Sequence, residues 1–251
     1  MAIKTRKISD WLSANGQAIT NASKATMEDA IRADIGQLYD GVFIMFHRKS
    51  DNYPLAVRVS SWTSYQNSGE IAEGVLLVEG GRHLVIAPTE ASAAKWSSKP
   101  VSSSDTSGSV QISGVTTTGD RMTALNDFAG RANTTAIING STSSNVTNTE
   151  AYAAGFCNKY ARVNANGNGL TAGKWWLPSL AELVMIWANF DKINYALSKI
   201  SGATQLQQNW YWSSTQLSAA YAWYLGLSDG LVNYYYKFSQ FRVRPVSAFL
   251  Y

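Results

Sequence analysis

The chain has 251 residues, 15% of them charged and 12% aromatic, with a formal net charge of +4. That balance excludes a disordered chain, which combines high charge with few aromatics, and the length allows one large domain or two unequal ones at ~150 residues per domain. Lys4, Arg6 and Lys7 sit near the start and the other bases are scattered, so no basic stripe marks a nucleic-acid surface.

In chain order, residues 1–40 read as helical: Ile31, Ile35 and Leu38 with Tyr39 form an i, i+4, i+7 stripe, and Thr26 with Asp29 resembles a capping pair. We take residues 1–50 as an N-terminal segment for attachment or oligomerisation and 51–251 as the main domain. Apolar runs at Val42–Phe46, Leu55–Val59, Gly74–Val78 and His83–Ala87 predict strands. Glu79-Gly80-Gly81-Arg82 predicts a hairpin, since two glycines supply positive φ in the turn. Residues 97–120 hold fifteen Ser, Thr or Gly and read as a surface loop. Residues 139–149 read the same way. Met122–Ala129 and 150–161 read as short helices, the second with Tyr152, Phe156 and Tyr160 on one face. Pro178-Ser179-Leu180-Ala181-Glu182 is a capping box opening a helix with Leu180, Leu183, Val184 and Trp187 at helical spacing. Ile193, Leu197 and Ile200 mark a second helix. After it come only short strands: Trp210–Ser213, Ala222–Leu227, Leu231–Phe238 and Arg242–Phe249, with Asp229-Gly230 as a hairpin turn.

Thirteen of the thirty aromatic residues fall in the last 51 positions, beside only four charges: Asp229, Lys237, Arg242 and Arg244. Such a tail is either a large core or a contact surface. Cys157 is the lone cysteine, so one chain builds no disulfide, zinc or iron–sulfur site. His47 and His83 lack ligand spacing and read as structural or surface residues. There is no P-loop, no Gly-x-Ser-x-Gly elbow and no acidic cluster asking for calcium. We expect no cofactor and no metal. No apolar run follows the basic start and none reaches ~18 residues, so the expectation is a protein made in the cytoplasm without a secretion signal and without membrane insertion.

Trp175-Trp176-Leu177-Pro178-Ser179 with Glu182-Leu183, then Trp212-Ser213-Ser214-Thr215-Gln216, Ala222-Trp223, and Arg242-Val243-Arg244-Pro245-Val246, occur in that order. Over residues 75–251 the chain resembles the variable proteins of diversity-generating retroelements. The resemblance implies an α+β, C-type-lectin-like fold with short antiparallel strands and two main helices. It also implies a non-enzymatic, ligand-binding function, as in phage receptor-binding proteins at a tail-fibre tip. The partner would be a bacterial surface protein or glycan, and a homo-oligomer, a trimer, is expected on a virion.

In that family an error-prone reverse transcriptase randomises template adenines, mostly in Asn codons. Changing the first two bases of an Asn codon reaches Tyr, Ser, Asp, Leu, Ala, Gly or Phe but never Trp, Met, Gln, Lys or Glu. Within the implied variable region, about 209–241, the positions between the fixed blocks are Tyr211, Leu217, Ala219, Ala220, Tyr221, Tyr224, Gly226, Ser228, Asp229, Leu231, Asn233, Tyr234, Tyr235, Tyr236, Phe238, Ser239 and Phe241, all of reachable type. Gln240 departs from the pattern. Trp212, Gln216, Trp223 and Lys237 are of unreachable type and read as framework, with Lys237 snorkelling over apolar surface. Tyr234-Tyr235-Tyr236 suits an interface, since a dry core would have to satisfy three phenols, and tyrosine offers contact area at low entropic cost.

Two rival readings stand beside this one. A bacterial variable protein outside any virion would bind by the same physics. A formylglycine-generating-enzyme-like oxidase would share the fold and need a reactive cysteine, for which only Cys157 is available.

Overall fold

The structure is a computed structural model that describes residues 40–249. The helix expected over 1–40, its Ile31–Tyr39 stripe, the Thr26/Asp29 pair and Tyr251 lie outside the described residues. The compact unit runs from Asp40. Residues 40–50, placed with the N-terminal segment from sequence, therefore belong to it: β1 (Gly41–His47) is hydrogen-bonded between two neighbours.

The described residues form a mixed α+β unit, mostly β. The first sheet has the order β12-β4-β3-β1-β2, from β2 (Pro54–Arg58), β3 (Gly74–Glu79), β4 (Arg82–Ile86) and β12 (Val246–Ser247). All four strand expectations before residue 90 are met. The β3–β4 hairpin closes at Glu79 opposite Arg82, with Gly80 at φ 55° and Gly81 at φ 76°. The second sheet has the order β10-β9-β8-β11-β5, from β5 (Ala91–Ala94), β8 (Trp210–Gln216), β9 (Tyr221–Gly226), β10 (Val232–Tyr236) and β11 (Phe241–Val243). A small ribbon pairs β6 (Arg162–Val163) with β7 (Gly169–Leu170).

Two apolar cores lie on opposite faces of the second sheet. The larger joins Ile44, Val75 and Ile86 of the first sheet to two consecutive helices and to Tyr211, Trp223 and Leu225. The smaller gathers Trp96, Ile137, Cys157 and Leu177 around Trp212, Tyr224, Phe241 and Val243. The period-2 alternation of a strand sends adjacent residues into different cores.

Six α-helices are described, where two main ones were expected: α1 (Trp62–Asn67), α2 (Arg121–Leu125), α3 (Gly130–Asn139), α4 (Ala153–Lys159), α5 (Leu180–Ala188) and α6 (Phe190–Leu197). α5 starts as its capping box requires, with Glu182 accepting the Ser179 N–H at 2.8 Å. The longest helix, α3, was missed. Its Asn- and Thr-rich sequence carries few strong helix formers, and side-chain bonds from its interior help to hold it: Asn133 to Asp127 (2.9 Å) and Thr134 to the Leu177 N–H (3.0 Å).

Three further sequence readings are corrected. Residues 97–120 are not merely a surface loop: Ile112 and Val115 are buried, and Ile112 N–H donates to the Gln216 side chain at 3.2 Å. The strand read over Arg242–Phe249 breaks at Arg244-Pro245 into β11 and β12, in different sheets, because Pro245 has no N–H for a ladder and Arg244 turns inward. Not all pairing is antiparallel, since β11 meets β8 in parallel at Arg242 opposite Tyr211.

Candidate ligand-binding face

The Trp-Ser-Ser-Thr-Gln block is the buried stretch of β8, and each polar group there has a use. Ser213 Oγ donates to the Trp223 carbonyl at 2.7 Å. Ser214 N–H donates to the Pro178 carbonyl at 2.8 Å, just before α5. Thr215 Oγ donates to Asp127 at 2.7 Å and accepts the Leu180 N–H, a free donor of the first turn of α5, at 3.0 Å. The indoles follow suit: Trp96 donates to the Ser213 carbonyl (2.9 Å), Trp212 to Ala94 (3.0 Å) and Trp223 to Thr118 (2.9 Å). The framework reading of Trp212 and Trp223 is met, both being buried, as are Trp175 and Trp176.

Lys237 is framework, but it does not snorkel. Its side chain is fully buried, with the ammonium 4.3 Å from the centre of the Trp96 ring and hydrogen-bonded to Gln216 Oε1. Burial pushes its pKa down to about 7. The snorkelling expectation fails because Trp96, from far away in the chain, and Gln216 enclose the ammonium, and only tertiary contact shows that. Arg244 donates to the backbone carbonyls of Ala87 (2.9 Å) and Thr204 (3.0 Å) and also pairs with Glu90 at 2.7 Å.

Of the seventeen positions assigned to the variable set, five are buried: Tyr211, Ala220, Tyr224, Gly226 and Phe241. Tyr211 is the clearest departure from a display role. Its hydroxyl donates to Glu90 at 2.8 Å and accepts the Gln207 N–H at 2.9 Å, while Arg242 and Arg244 hold the same carboxylate. Burial first, and the Glu90 charge second, raise its pKa.

The other twelve are wholly or partly accessible, and several gather on the β9–β10 hairpin at the sheet edge. Leu231, Tyr234 and Tyr235 are 41%, 45% and 48% exposed. Ser228 and Asp229 form the exposed turn, with Gly230 at φ 74° as its Asp-Gly signal requires. The register places Tyr234 opposite Trp223, Tyr235 opposite Ala222 and Tyr236 opposite Tyr221. The three tyrosines therefore do not share a face. Tyr234 and Tyr236 lie with Tyr221 on one side, at ring distances of 5.6 and 4.4 Å from it. Tyr235 lies on the other, 5.8 Å from Phe241. The Tyr221 phenol is pushed up to about 12, first by its hydrogen bond with Tyr236 and then by burial.

Two exposed aromatics beside the hairpin were not among the predicted site residues. Trp210 is 44% exposed, its ring 5.5 Å from Tyr224 and 5.4 Å from Phe241. Trp187, read as part of the apolar stripe of α5, is 39% exposed and packs against Gly230 of the hairpin turn. For Trp210 a signal existed: it opens β8 one residue before alternation turns its neighbours inward. Trp187 had none, since its exposure depends on where the hairpin ends.

Cys157 is buried in the smaller core and its thiol is raised well above its usual value by desolvation, the reverse of what a nucleophile needs. His47 is buried as a structural residue, although a partner that sequence did not reveal orients it: Nδ1 lies 2.8 Å from both oxygens of Glu73. Among the described residues no three His, Cys, Asp or Glu are placed to hold a metal ion, and no helix is long and apolar enough to cross a membrane.

No protein-family model matches the chain, and no curated protein matches it. Among solved structures it is similar to a fimbrial protein from Bacteroides ovatus at 15% identity, with a TM-score of 0.41, over 85% of this chain and 44% of that one. The chain thus spans less than half the length of that protein.

Proposed function

We propose that the protein is a non-enzymatic binding protein with a C-type-lectin-like fold whose variable surface is written by a diversity-generating retroelement. The observation that carries this reading is the contrast inside residues 210–241. Four of the six side chains of unreachable codon type, Trp212, Gln216, Trp223 and Lys237, are buried and hydrogen-bonded, Trp210 and Gln240 being exposed, while twelve of the seventeen reachable-type positions retain access to solvent. An edge hairpin tolerates exchange of such residues, since they contribute little to either core. Recognition then follows ordinary interface physics: tyrosine and leucine bury apolar area, and Asn, Ser and Asp supply adaptable hydrogen bonds. The partner is a macromolecule on a bacterial surface, met from a phage tail by a homo-oligomer. Joining three copies would raise weak single-site affinity by as much as ~10²–10⁴.

The neighbouring DNA tests this reading. A near-copy of codons 209–241, differing at adenines and lying beside a reverse transcriptase gene, is expected. A copy whose differences spread evenly over all four bases, or no copy, overturns the retroelement origin. Flanking virion genes decide between the phage protein and its cellular counterpart.

A further inference from the structure

One side of the hairpin pairs a carboxylate with an aromatic platform. Gly226 stands opposite Trp210, and a Cβ added there would lie 2.8 Å from Asp229 Oδ1, 3.4 Å from Trp210 Cδ1 and 3.6 Å from Leu231 Cβ. The Asp229 carboxylate therefore lies over bare glycine backbone beside the indole. Beyond it the rings of Trp210, Tyr224, Phe241 and Tyr235 follow one another at centroid distances of 5.0–5.8 Å. Asp229 bonds the turn through Oδ1, which accepts the Leu231 N–H at 3.0 Å. Strands β8 to β11 contain a single basic residue, Arg242. It points to the opposite face, where Glu90 holds it at 2.7 Å. The platform thus has negative charge and π-faces with no cation of its own on these strands.

We infer that this face receives a guanidinium group, from an arginine side chain carried on the surface of a protein partner, stacked on Trp210 and paired with Asp229. Arginine suits both halves, since its planar cation stacks on aromatic faces and forks onto a carboxylate. The inference rests on the binding-protein reading and names the partner's chemistry. Tryptophan cannot arise from an Asn codon, so under that reading Trp210 is a constant anchor while Asp229, a variable position, sets the charge preference of this copy.

The test is a titration of the full-length protein with acetyl-arginine amide, followed through the Trp210 indole N–H resonance, which is identified by its loss in Trp210→Phe. Saturable millimolar binding is expected, weakened by salt, with the uncharged citrulline analogue at least about tenfold weaker. Asp229→Asn keeps an oxygen for the Leu231 N–H and is expected to lose about tenfold in arginine affinity with an unchanged melting temperature. Equal binding of citrulline, unchanged binding by Asp229→Asn, or no saturable shift up to about 50 mM overturns the inference. Tighter binding of glucosamine than of the arginine amide overturns the protein source and assigns the site to an amino sugar. These outcomes are separate from the DNA test: a missing template copy removes the retroelement reading and leaves the arginine titration standing.

Discussion

Strands β8 and β10 belong to one sheet, with only β9 between them, and both mix aromatic with small polar residues. β8 is buried from Tyr211 to Gln216, whereas β10 has no buried residue. The difference is one of position. β8 has a neighbour on each side and a core on each face, so its buried hydroxyls, its amide and the Trp212 indole answer to fixed partners. β10 has one neighbour, and although Val232 packs against the larger core, Tyr234 and Tyr235 stay about half exposed. A hypervariable segment needs the second situation, because exchanging a residue there leaves no buried donor or acceptor unpaired.

The sharpest way to break this comparison is to treat a framework residue as if it were displayed. Trp223→Ala is expected to cost ~3–5 kcal/mol, through lost packing in the larger core and loss of the bond to the Thr118 carbonyl, measured by denaturant unfolding. A loss below about 1 kcal/mol would erase the distinction between β9 and the edge.

Lys237 gives a pH signature of the framework. Its folded pKa of about 7 lies below the ordinary lysine value of 10.5. The neutral form is favoured by folding, so this group's stability contribution is present above the unfolded pKa and is lost as pH falls towards the folded pKa. Stability should therefore rise between pH 7 and 9.5, by at most about 1.4 kcal/mol per pH unit. Lys237→Met should flatten that slope, and identical pH profiles for the two proteins would show that the ammonium is not desolvated.

Tyr211 separates reachable codon type from display. Tyr211→Phe leaves Glu90 with its two arginines but removes a buried hydroxyl, and about 1–2 kcal/mol of stability should go with it, with ligand binding retained. The smallest effect on stability belongs to the double replacement Tyr234→Ser and Tyr235→Ser. The melting temperature should move by no more than a few degrees, for a change of about 1 kcal/mol or less, while capture of bacterial target cells is lost. A large stability loss would show both tyrosines to be core.

Much of this was legible in sequence. Alternation and the Gly-Gly and Asp-Gly turns located the strands around 42–87 and 210–236, and Ser179 with Glu182 located α5. The framework tryptophans were recognisable by residue type. What escaped did so for identifiable reasons. α3 is held by Asn133 and Thr134 rather than by propensity. Arg242–Phe249 reads as one strand because nothing local reveals that its halves serve different sheets. The variable set was picked by residue type, which cannot distinguish Tyr211 from Tyr234.

The sequence by itself determined which residues alternate, where turns fall and which side chains are too costly to leave unpartnered, since these depend on neighbours a few positions away. Only the tertiary structure decided that Lys237 is buried against Trp96 and Gln216, that Glu90 gathers Tyr211, Arg242 and Arg244 from more than a hundred residues away, and that β10 is an edge. Burial and edge position are properties of what packs against a strand. Partners that distant in the chain leave no periodic trace in the segment they cover.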